Sequence, residues 1–129
     1  MLKSKIIQVK PNRMRTKREE IQQAKIFRWH WNLYPQDRMR LFHVDNNSYN
    51  AIIGALKKSL GVVSGVSDFV WIGCNGRVVW LEGKVSGGFQ SDEQIKFQEL
   101  VERLGHQYVI FWSEEEFKKI YVENLHDGK

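Results

Sequence analysis

The sequence has a single cysteine and no long apolar run. Each of these absences excludes a class of site or protein. With Cys74 as the single cysteine, an internal disulfide and a zinc site built from several cysteines are excluded. No apolar run approaches the roughly 18 residues that a membrane-spanning helix requires, and no signal-peptide pattern opens the chain. Internal repeats and low-complexity segments are also absent. We therefore expect a soluble, cytoplasmic protein.

Acidic residues are missing from the first 18 positions, where seven basic residues lie. This segment carries +7, so the rest of the chain carries −2 of the net charge of +5. A basic arm ahead of a nearly neutral domain fits phosphate contacts, and it equally fits a solubilising or disordered leader. The side chains predicted to meet nucleic acid are Lys10, Arg13, Arg15, Lys17, Arg18 and Lys57, although Lys57 also suits a solvated helix face.

A β-hairpin between residues 69 and 85 is the clearest structural signal. The near-continuous apolar run from Val78 to Leu81 is typical of a central strand that is covered on both faces. Phe69 to Gly73 is its predicted partner, and Asn75-Gly76 is a strong turn signal. A three-residue loop, Cys74 to Gly76, with Gly76 left-handed, would give opposed residues a constant index sum of 150.

Three ionisable residues, Asp68, Glu82 and Lys84, lie within this otherwise apolar hairpin. That register places Asp68 across from Glu82, with Cβ atoms roughly 4.5–5.5 Å apart. Lys84 shares the face of Glu82, because residues two apart on a strand project to the same side. Two facing carboxylates repel one another unless a cation lies between them, and hard oxygen ligands suit Mg²⁺ or Mn²⁺.

The remaining elements follow from capping signals and apolar periodicity. A capping box at Thr16–Glu19 begins a helix that runs to about Leu33, with Ala24, Phe27 and Trp31 as its buried stripe. Glu20 lies on this apolar stripe and is therefore predicted to point inward, whereas Glu19 is predicted to cap the start of the helix. A short strand, Leu41 to Val44, precedes a second helix, capped by Asn46 or Asn47, whose predicted stripe is Tyr49, Ile52, Ile53, Leu56 and Leu60.

Two further helices and one strand complete the domain. A second capping box, Ser91 to Gln94, opens a helix whose stripe is Phe97, Leu100, Val101 and Leu104. Gln107 to Trp112 follows as a strand that the strand, helix, strand order permits to lie parallel to the Glu82 strand. A last helix begins after Ser113, and the chain is expected to fray from Asn124. We predict a basic arm at 1–15, one domain at 16–125 and a tail at 126–129.

Five ordered blocks in this chain resemble the VRR-NUC domain of the PD-(D/E)-x-K nuclease superfamily. They are H-V-D-N at 43–46, L-K-K-S-L-G at 56–61, G-V-S-D at 65–68, E-G-K at 82–84 and S-D-E-Q at 91–94. The resemblance covers residues 17–112. Ser67 and Asp45 stand where the family usually has proline, and Ser67 loses the rigid strand entry that proline gives. The implied fold is α/β (α+β), with a restriction-endonuclease-like mixed central sheet flanked by helices.

The resemblance also implies a site. Its catalytic residues would be Lys84, Glu82, Asp68 and Gln94, and its metal ligands Asp68, Glu82, the backbone of Gly83 and a helix-borne glutamate. For that glutamate the resemblance leaves Glu19 and Glu20 open, and the apolar stripe favours Glu20. Gln94 is predicted to cap its helix and also to contact the site. His43 and Asn46 would shape or flank the pocket.

The implied activity is that of a Mg²⁺- or Mn²⁺-dependent DNA endonuclease of a bacterial or phage-infected cell. Stand-alone members resemble structure-selective enzymes that act on branched DNA, including Holliday junction resolvases, usually as homodimers. A pattern that fills the chain leaves no separate sequence-reading domain, which favours recognition of DNA shape. The alternatives are a nickase, flap or restriction-type nuclease of the same fold, and a non-catalytic nucleic-acid binding module.

Overall fold

The computed structural model of the chain describes residues 17–45 and 50–126. In chain order the elements are helix α1 (Lys17–Leu33), a 3₁₀ turn (Pro35–Asp37), strand β1 (Leu41–His43), helix α2 (Ala51–Ser59), strand β2 (Phe69–Ile72), strand β3 (Val78–Gly83), helix α3 (Asp92–Arg103), strand β4 (Gln107–Phe111), and helix α4 (Glu114–Ile120), which continues as a π-helical turn (Tyr121–Leu125). None of the helices in these two ranges is sufficiently long and apolar to cross a membrane.

The four strands form one mixed sheet in the order β1-β2-β3-β4. β1 pairs antiparallel with β2, and β2 pairs antiparallel with β3. β4 lies parallel to β3, as a strand reached through the α3 crossover can. The predicted α+β class, the central position of β3 and the parallel last strand are confirmed.

The hairpin register agrees with the prediction. Phe69 faces Leu81 and Ile72 faces Val78, so the index sum is constant along the pair. The loop is Cys74–Gly76, closed by a 2.7 Å hydrogen bond from Gly73 N–H to the Arg77 carbonyl. Gly76 is left-handed with φ of 76°, and Asn75 is too, with φ of 57°. Asparagine tolerates this conformation better than most residues, so the odd loop length is accommodated.

The main core lies between one face of the sheet and helices α1 and α4. Alternate residues of the strands, including Phe69, Trp71 and Leu81, pack there against Ile26 and Phe117. α3 covers the other face, where Phe97 packs edge to face on Trp80 at 5.1 Å between ring centroids. Both faces of β3 are therefore covered, which accounts for its unbroken apolar run.

Several predictions about the helices and the C-terminal segment are wrong. In the predicted buried stripe of α3, Val101 is buried and Phe97 is half-buried, but Leu100 and Leu104 are 42% and 59% exposed. α2 is capped by Asn50, whose Oδ1 accepts from Ile53 N–H at 2.8 Å, and not by Asn46 or Asn47, which lie outside the described residues. Three members of its predicted stripe are exposed, at 82% for Ile52, 57% for Leu56 and 74% for Leu60, whereas Ile53 is half-buried. α1 and α4 cover one face of the sheet and α3 covers the other, and no residue of α2 belongs to the main core.

Leu125 and His126 are held against the domain, where fraying from Asn124 was expected. Leu125 is buried in the main core at the end of the π-helical turn. The next residue, His126, contacts Asp37 through Nδ1 at 3.0 Å. Burial of Leu125 and this polar contact hold the chain against the domain as far as His126.

Candidate active site

The structure brings Asp68, Glu82 and Lys84 together at one end of β2 and β3. Asp68 immediately precedes β2, Glu82 lies in β3, and Lys84 follows it. Their residues are only 8%, 2% and 1% exposed, respectively. Asp68 Oδ2 accepts a 2.8 Å hydrogen bond from Gly83 N–H, which fixes the carboxylate against the partner strand. The hairpin register thus forms a buried cluster of two acids and one lysine.

Gln94 joins the two charged groups of β3. Its Oε1 accepts from Lys84 Nζ at 2.8 Å, and its Nε2 donates to Glu82 Oε2 at 2.9 Å. Lys84 Nζ also lies 3.4 Å from Glu82 Oε2. The amide is held in place because Ser91 N–H donates to the same Oε1 at 2.8 Å, completing the capping box of α3. Gln94 therefore caps its helix and contacts the site at once.

The backbone of Asp68 is fixed from β1. Its carbonyl accepts from Val44 N–H at 2.9 Å and from His43 Nδ1 at 2.8 Å. A carbonyl only accepts, so Nδ1 of His43 carries the hydrogen. Ser67, which is fully buried, donates its hydroxyl to the Phe69 carbonyl at 3.2 Å. These bonds supply the rigid strand entry that the missing proline at position 67 would give.

Gly83, between Glu82 and Lys84, is a position that only glycine fits. A Cβ at this position would come 2.7 and 2.8 Å from two ring atoms of Phe111 on β4, and 3.5 Å from Asp68 Oδ2. Real Cβ atoms do not approach ring carbons so closely. The Gly83 backbone is thus brought against the Asp68 carboxylate. Its role as a backbone metal ligand stays a prediction.

The prediction that Glu20 points inward is wrong. Glu20 is exposed, whereas Glu19 is 4% exposed, on the same buried face of α1 as Ile26 and His30. The expected stripe was wrong by about one residue, or roughly 100° around the helix, since Ala24 and Trp31 are exposed and Phe27 is only half-buried.

The buried face of α1 also contains polar residues, which the spacing of apolar residues alone did not identify. His30 is buried and reaches the Tyr121 hydroxyl at 2.8 Å, and Gln22 Nε2 donates to the Lys84 carbonyl at 3.2 Å. The second contact places this face of α1 against the end of β3. Glu19 and Gln22 are thus on the side of α1 that approaches the site.

The electrostatics of the cluster are dominated by buried acid. Burial, and next the negative charge of Glu82, raise the pKa of Tyr108 on β4 well above its usual range, with Asp68 adding to the effect. Lys84 is the buried cation that pairs with Glu82. Two nearly dry carboxylates with one ammonium leave an excess of negative charge, which a divalent cation would neutralise.

The carboxylate oxygens of Asp68 and Glu82 suit Mg²⁺ or Mn²⁺, which keep bound water, better than a metal that takes all of its ligands from protein side chains. Within residues 17–45 and 50–126, no three His, Cys, Asp or Glu side chains gather into a metal-binding group. A metal held by Asp68 and Glu82 would therefore complete its shell with backbone oxygen and water, as Mg²⁺ commonly does.

The predicted nucleic-acid contacts are only partly described. Lys10, Arg13 and Arg15 lie outside the described residues. Lys17 and Arg18 are exposed at the start of α1, and Arg18 lines a groove with Gln22 and Val85, next to Lys84. Lys57 Nζ lies 3.3 Å from Asp45 Oδ2 on the solvated side of α2.

Sequence reasoning gave His43 only a flanking role and assigned none to Tyr108. The signal for His43 was its place in the predicted strand Leu41 to Val44, at the start of the block H-V-D-N. The signal for Tyr108 was its place in the strand predicted to lie parallel to β3. In the structure Tyr108 lies beside Trp80 of β3.

The fold has a counterpart among solved structures. A structure named "VRR_NUC domain protein" superposes with a TM-score of 0.68, covering 88% of this chain and 92% of that chain, at 15% sequence identity. No protein-family description matches the sequence, and no curated protein matches it. At this identity the likeness is one of fold. The chain therefore has the fold of a VRR_NUC domain protein, as its sequence blocks led us to expect.

Proposed function

We propose that this protein is a metal-dependent, structure-selective DNA endonuclease that hydrolyses phosphodiesters in branched DNA. The observation that carries the proposal is the buried cluster of Asp68, Glu82 and Lys84, bridged by Gln94. Burying two acids and a lysine together costs several kcal/mol without a compensating role. The fold, shared with a protein named for a VRR_NUC domain, supports the same reading.

Each residue has a defined part in the proposed reaction. Asp68 and Glu82, with the backbone of Gly83, would hold Mg²⁺ or Mn²⁺, and Glu19 replaces Glu20 as the helix acid on the buried face. When bound, such an ion lowers the pKa of a water molecule and stabilises negative charge on the scissile phosphate. Lys84 orients the attacking water or neutralises the phosphorane, and Gln94 fixes Lys84 relative to Glu82.

The substrate and assembly are finer parts of the proposal. Arg18 borders the site, and the basic side chains Lys10, Arg13, Arg15 and Lys17 precede or accompany it in the chain, which suits contacts with DNA phosphates. Phosphate contacts position DNA without reading bases, so selectivity would come from branch geometry, with four-way junctions as one substrate. A homodimer would allow symmetric cleavage of two strands.

A substrate panel tests the proposal. Fluorescent intact duplex, nicked, flap and four-way DNA are incubated with Mg²⁺ or Mn²⁺, beside a sizing measurement of the protein. Wild type should cut at least one branched substrate, and Lys84→Ala and Asp68→Ala should each lose cleavage by 100-fold or more, roughly the effect of several kcal/mol in the barrier.

Controls separate catalysis from folding and from binding. Lys96→Ala, at an exposed lysine of α3, should cleave like wild type, and thermal unfolding should show that the inactive variants are folded. Both inactive variants should still bind the cleaved substrate. If wild type binds DNA but cuts none of the panel with either metal, the chain is a binding module and the nuclease proposal is wrong. A monomer that cuts junctions symmetrically would contradict the dimer.

A further inference from the structure

The outward side of α1 carries exposed aromatic and basic side chains that the site does not use. We define the α1 outer surface as Lys25, Phe27, Arg28 and Trp31, with Arg38 beside them. Lys25 and Arg28 are exposed, Trp31 is 41% exposed, and Phe27 and Arg38 are half-buried. Phe27 and Trp31 contact one another, with 5.8 Å between their ring centroids.

Arg38 is held in position on this surface. Its Nε donates to the Trp31 carbonyl at 2.8 Å, and its guanidinium carbon lies 4.5 Å from the centroid of the indole ring. Among residues 17–45 and 50–126, its two Nη groups make no hydrogen bond. A guanidinium fixed by its Nε and by a ring, with Nη donors left over, is preorganised to bind a phosphate.

The charge of the surface favours a polyanion over a second copy of the chain. From Ile21 to Gln36 the sequence contains no acidic residue. On α1 itself, Glu19 is buried, and Glu20 is the exposed acid, one turn before Ala24. A symmetric contact between two copies of this face would oppose Lys25 and Arg28 to their own counterparts, which is repulsive. A DNA strand offers the complementary charge, and its unpaired bases can stack on an indole.

The surface is continuous with the candidate site. Gln22 contacts the Lys84 carbonyl on the inner side of α1, and Lys25 lines the same groove as Arg18 and Val85. Trp31 lies nine residues beyond Gln22, which is about 14 Å along the helix and half a turn around it. A strand that leaves the groove at Lys25 therefore crosses α1 obliquely to reach Trp31.

We infer that the α1 outer surface binds the DNA strand leading away from the cleavage point. Arg28 and Arg38 contact its phosphates, and Trp31 stacks on an unpaired base beyond the cleavage point. This inference rests on the proposed nuclease function and adds a preference for DNA with unpaired nucleotides near the branch. It makes Trp31 a determinant of substrate structure, separate from the residues of the hydrolytic cluster.

The test compares binding to two labelled DNAs in EDTA, where metal-dependent cleavage does not occur. One is a continuous duplex, and the other is the same duplex with a four-nucleotide gap. Trp31→Ala should weaken binding to gapped DNA roughly 5- to 100-fold and leave continuous duplex within about twofold, because stacking needs an unpaired base. Arg28→Gln and Arg38→Gln should weaken both and should each lower the salt slope of binding by about one.

Matched variants make the result specific. Phe42→Ala removes an equally exposed ring (40%) from β1, and Arg103→Gln removes an exposed arginine at the end of α3; neither should change affinity more than about twofold. Trp31→Phe should retain part of the gap preference. Thermal unfolding checks that Trp31→Ala is folded.

Three outcomes would overturn the inference, and they differ in whether the proposed nuclease function is also contradicted. If Trp31→Ala binds gapped DNA as Phe42→Ala does, in a protein that still cuts and binds DNA, only the α1 surface is misassigned. If Trp31→Ala changes the sizing profile from dimer to monomer with DNA affinity intact, the surface is a protein interface. If wild type binds neither DNA, the proposed function fails together with this inference.

Discussion

At the scale of single residues, the amide of Gln94 determines how Lys84 and Glu82 are arranged. One oxygen accepts from both Lys84 Nζ and Ser91 N–H, and the amide nitrogen donates to Glu82. The capping box thus anchors the amide, and the amide orients two charged side chains. A glutamine in this place satisfies an ammonium and a carboxylate at once, which neither a carboxylate nor a second ammonium could do.

Replacing Gln94 with leucine should therefore reduce cleavage more than stability. Hydrogen bonds to charged groups contribute about 1.5–3 kcal/mol, so their loss from an arrangement that the reaction requires predicts a fall in kcat of roughly 10- to 100-fold. Gln98→Leu is the control, because Gln98 lies one turn further along α3 and bonds to Gln90 and Glu102 instead. Cleavage rates and thermal unfolding are measured for both. Equal rates in the two variants would contradict the bridging role.

Residues placed by the pairing register of a hairpin could be predicted from the sequence. Residues whose placement depends on which face of a helix is buried could not. Asp68, Glu82 and Lys84 come together because an antiparallel register fixes every opposed pair once the loop length is known. Choosing between Glu19 and Glu20 required the buried face of α1, and that face includes His30 and Gln22 as well as Ile26. Apolar periodicity does not count polar residues that are buried with a partner.

At the scale of elements, the contact between β3 and β4 explains the glycine of the E-G-K block. Gly83 pairs with Phe111 across the parallel ladder, and the Phe111 ring occupies the space of a Cβ. The close approach also brings Gly83 N–H to Asp68. The packing of two strands and the geometry of the carboxylates are therefore linked at one position.

Gly83→Ala should destabilise the protein by about 1–3 kcal/mol, as overpacking does in a close-packed interior. Gly73→Ala is the control, since a Cβ there would lie 3.2 Å from its nearest neighbour, Arg77 Cβ, compared with 2.7 Å from the Phe111 ring at Gly83. A shorter side chain at position 111, Phe111→Leu, should relieve the clash, so the double variant should lose less stability than the two single variants together. Urea unfolding of the four proteins measures this coupling. Strict additivity would show that the ring is not what excludes the Cβ.

Elements were easier to predict than their surroundings. α1, α3, α4 and all four strands lie close to where capping signals and apolar runs placed them. α2 also forms at the expected place, yet its apolar stripe is exposed, because a periodic stripe shows that a helix is amphipathic but not which surface it meets. The sheet faces were covered by other helices, and this was visible only in three dimensions.

At the scale of the whole molecule, a buried polar cluster joins segments that are far apart in the chain. The Tyr121 hydroxyl donates to Asp37, and His30 and His126 approach the same pair from α1 and from the C-terminal end. Arg40 completes it through a 3.0 Å ion pair with Asp37. Burial alone would raise the pKa of Asp37, but these hydrogen bonds and charges hold it below its usual range. Sequence reasoning found no partner for His30 or His126, because their partners lie more than 80 positions away.

This cluster predicts that stability falls as the pH is lowered from 6.5 toward 4. The Tyr121 hydroxyl donates its hydrogen to Asp37, so the Tyr121 oxygen accepts a hydrogen bond from His30 Nε2–H. Burial, opposed in part by the charge of Asp37, lowers the pKa of His30 from 6.5 to about 4. Between these values the unfolded chain binds a proton that the folded chain does not, so acid favours unfolding, by up to about 3 kcal/mol. Asp37 adds to the loss only below about pH 4, since its ordinary value is 3.8.

His30→Gln separates this contribution from the other titrating groups. Glutamine keeps an N–H donor for Tyr121 but takes up no proton, so the variant should lose markedly less stability than wild type between pH 7 and 4.5. Urea unfolding at several pH values gives the free energy of unfolding for both proteins. His126, which also contacts Asp37, is retained in both and so cancels from the comparison. Parallel pH profiles would mean that His30 accepts its proton in the folded state, and that burial in this cluster does not lower its pKa.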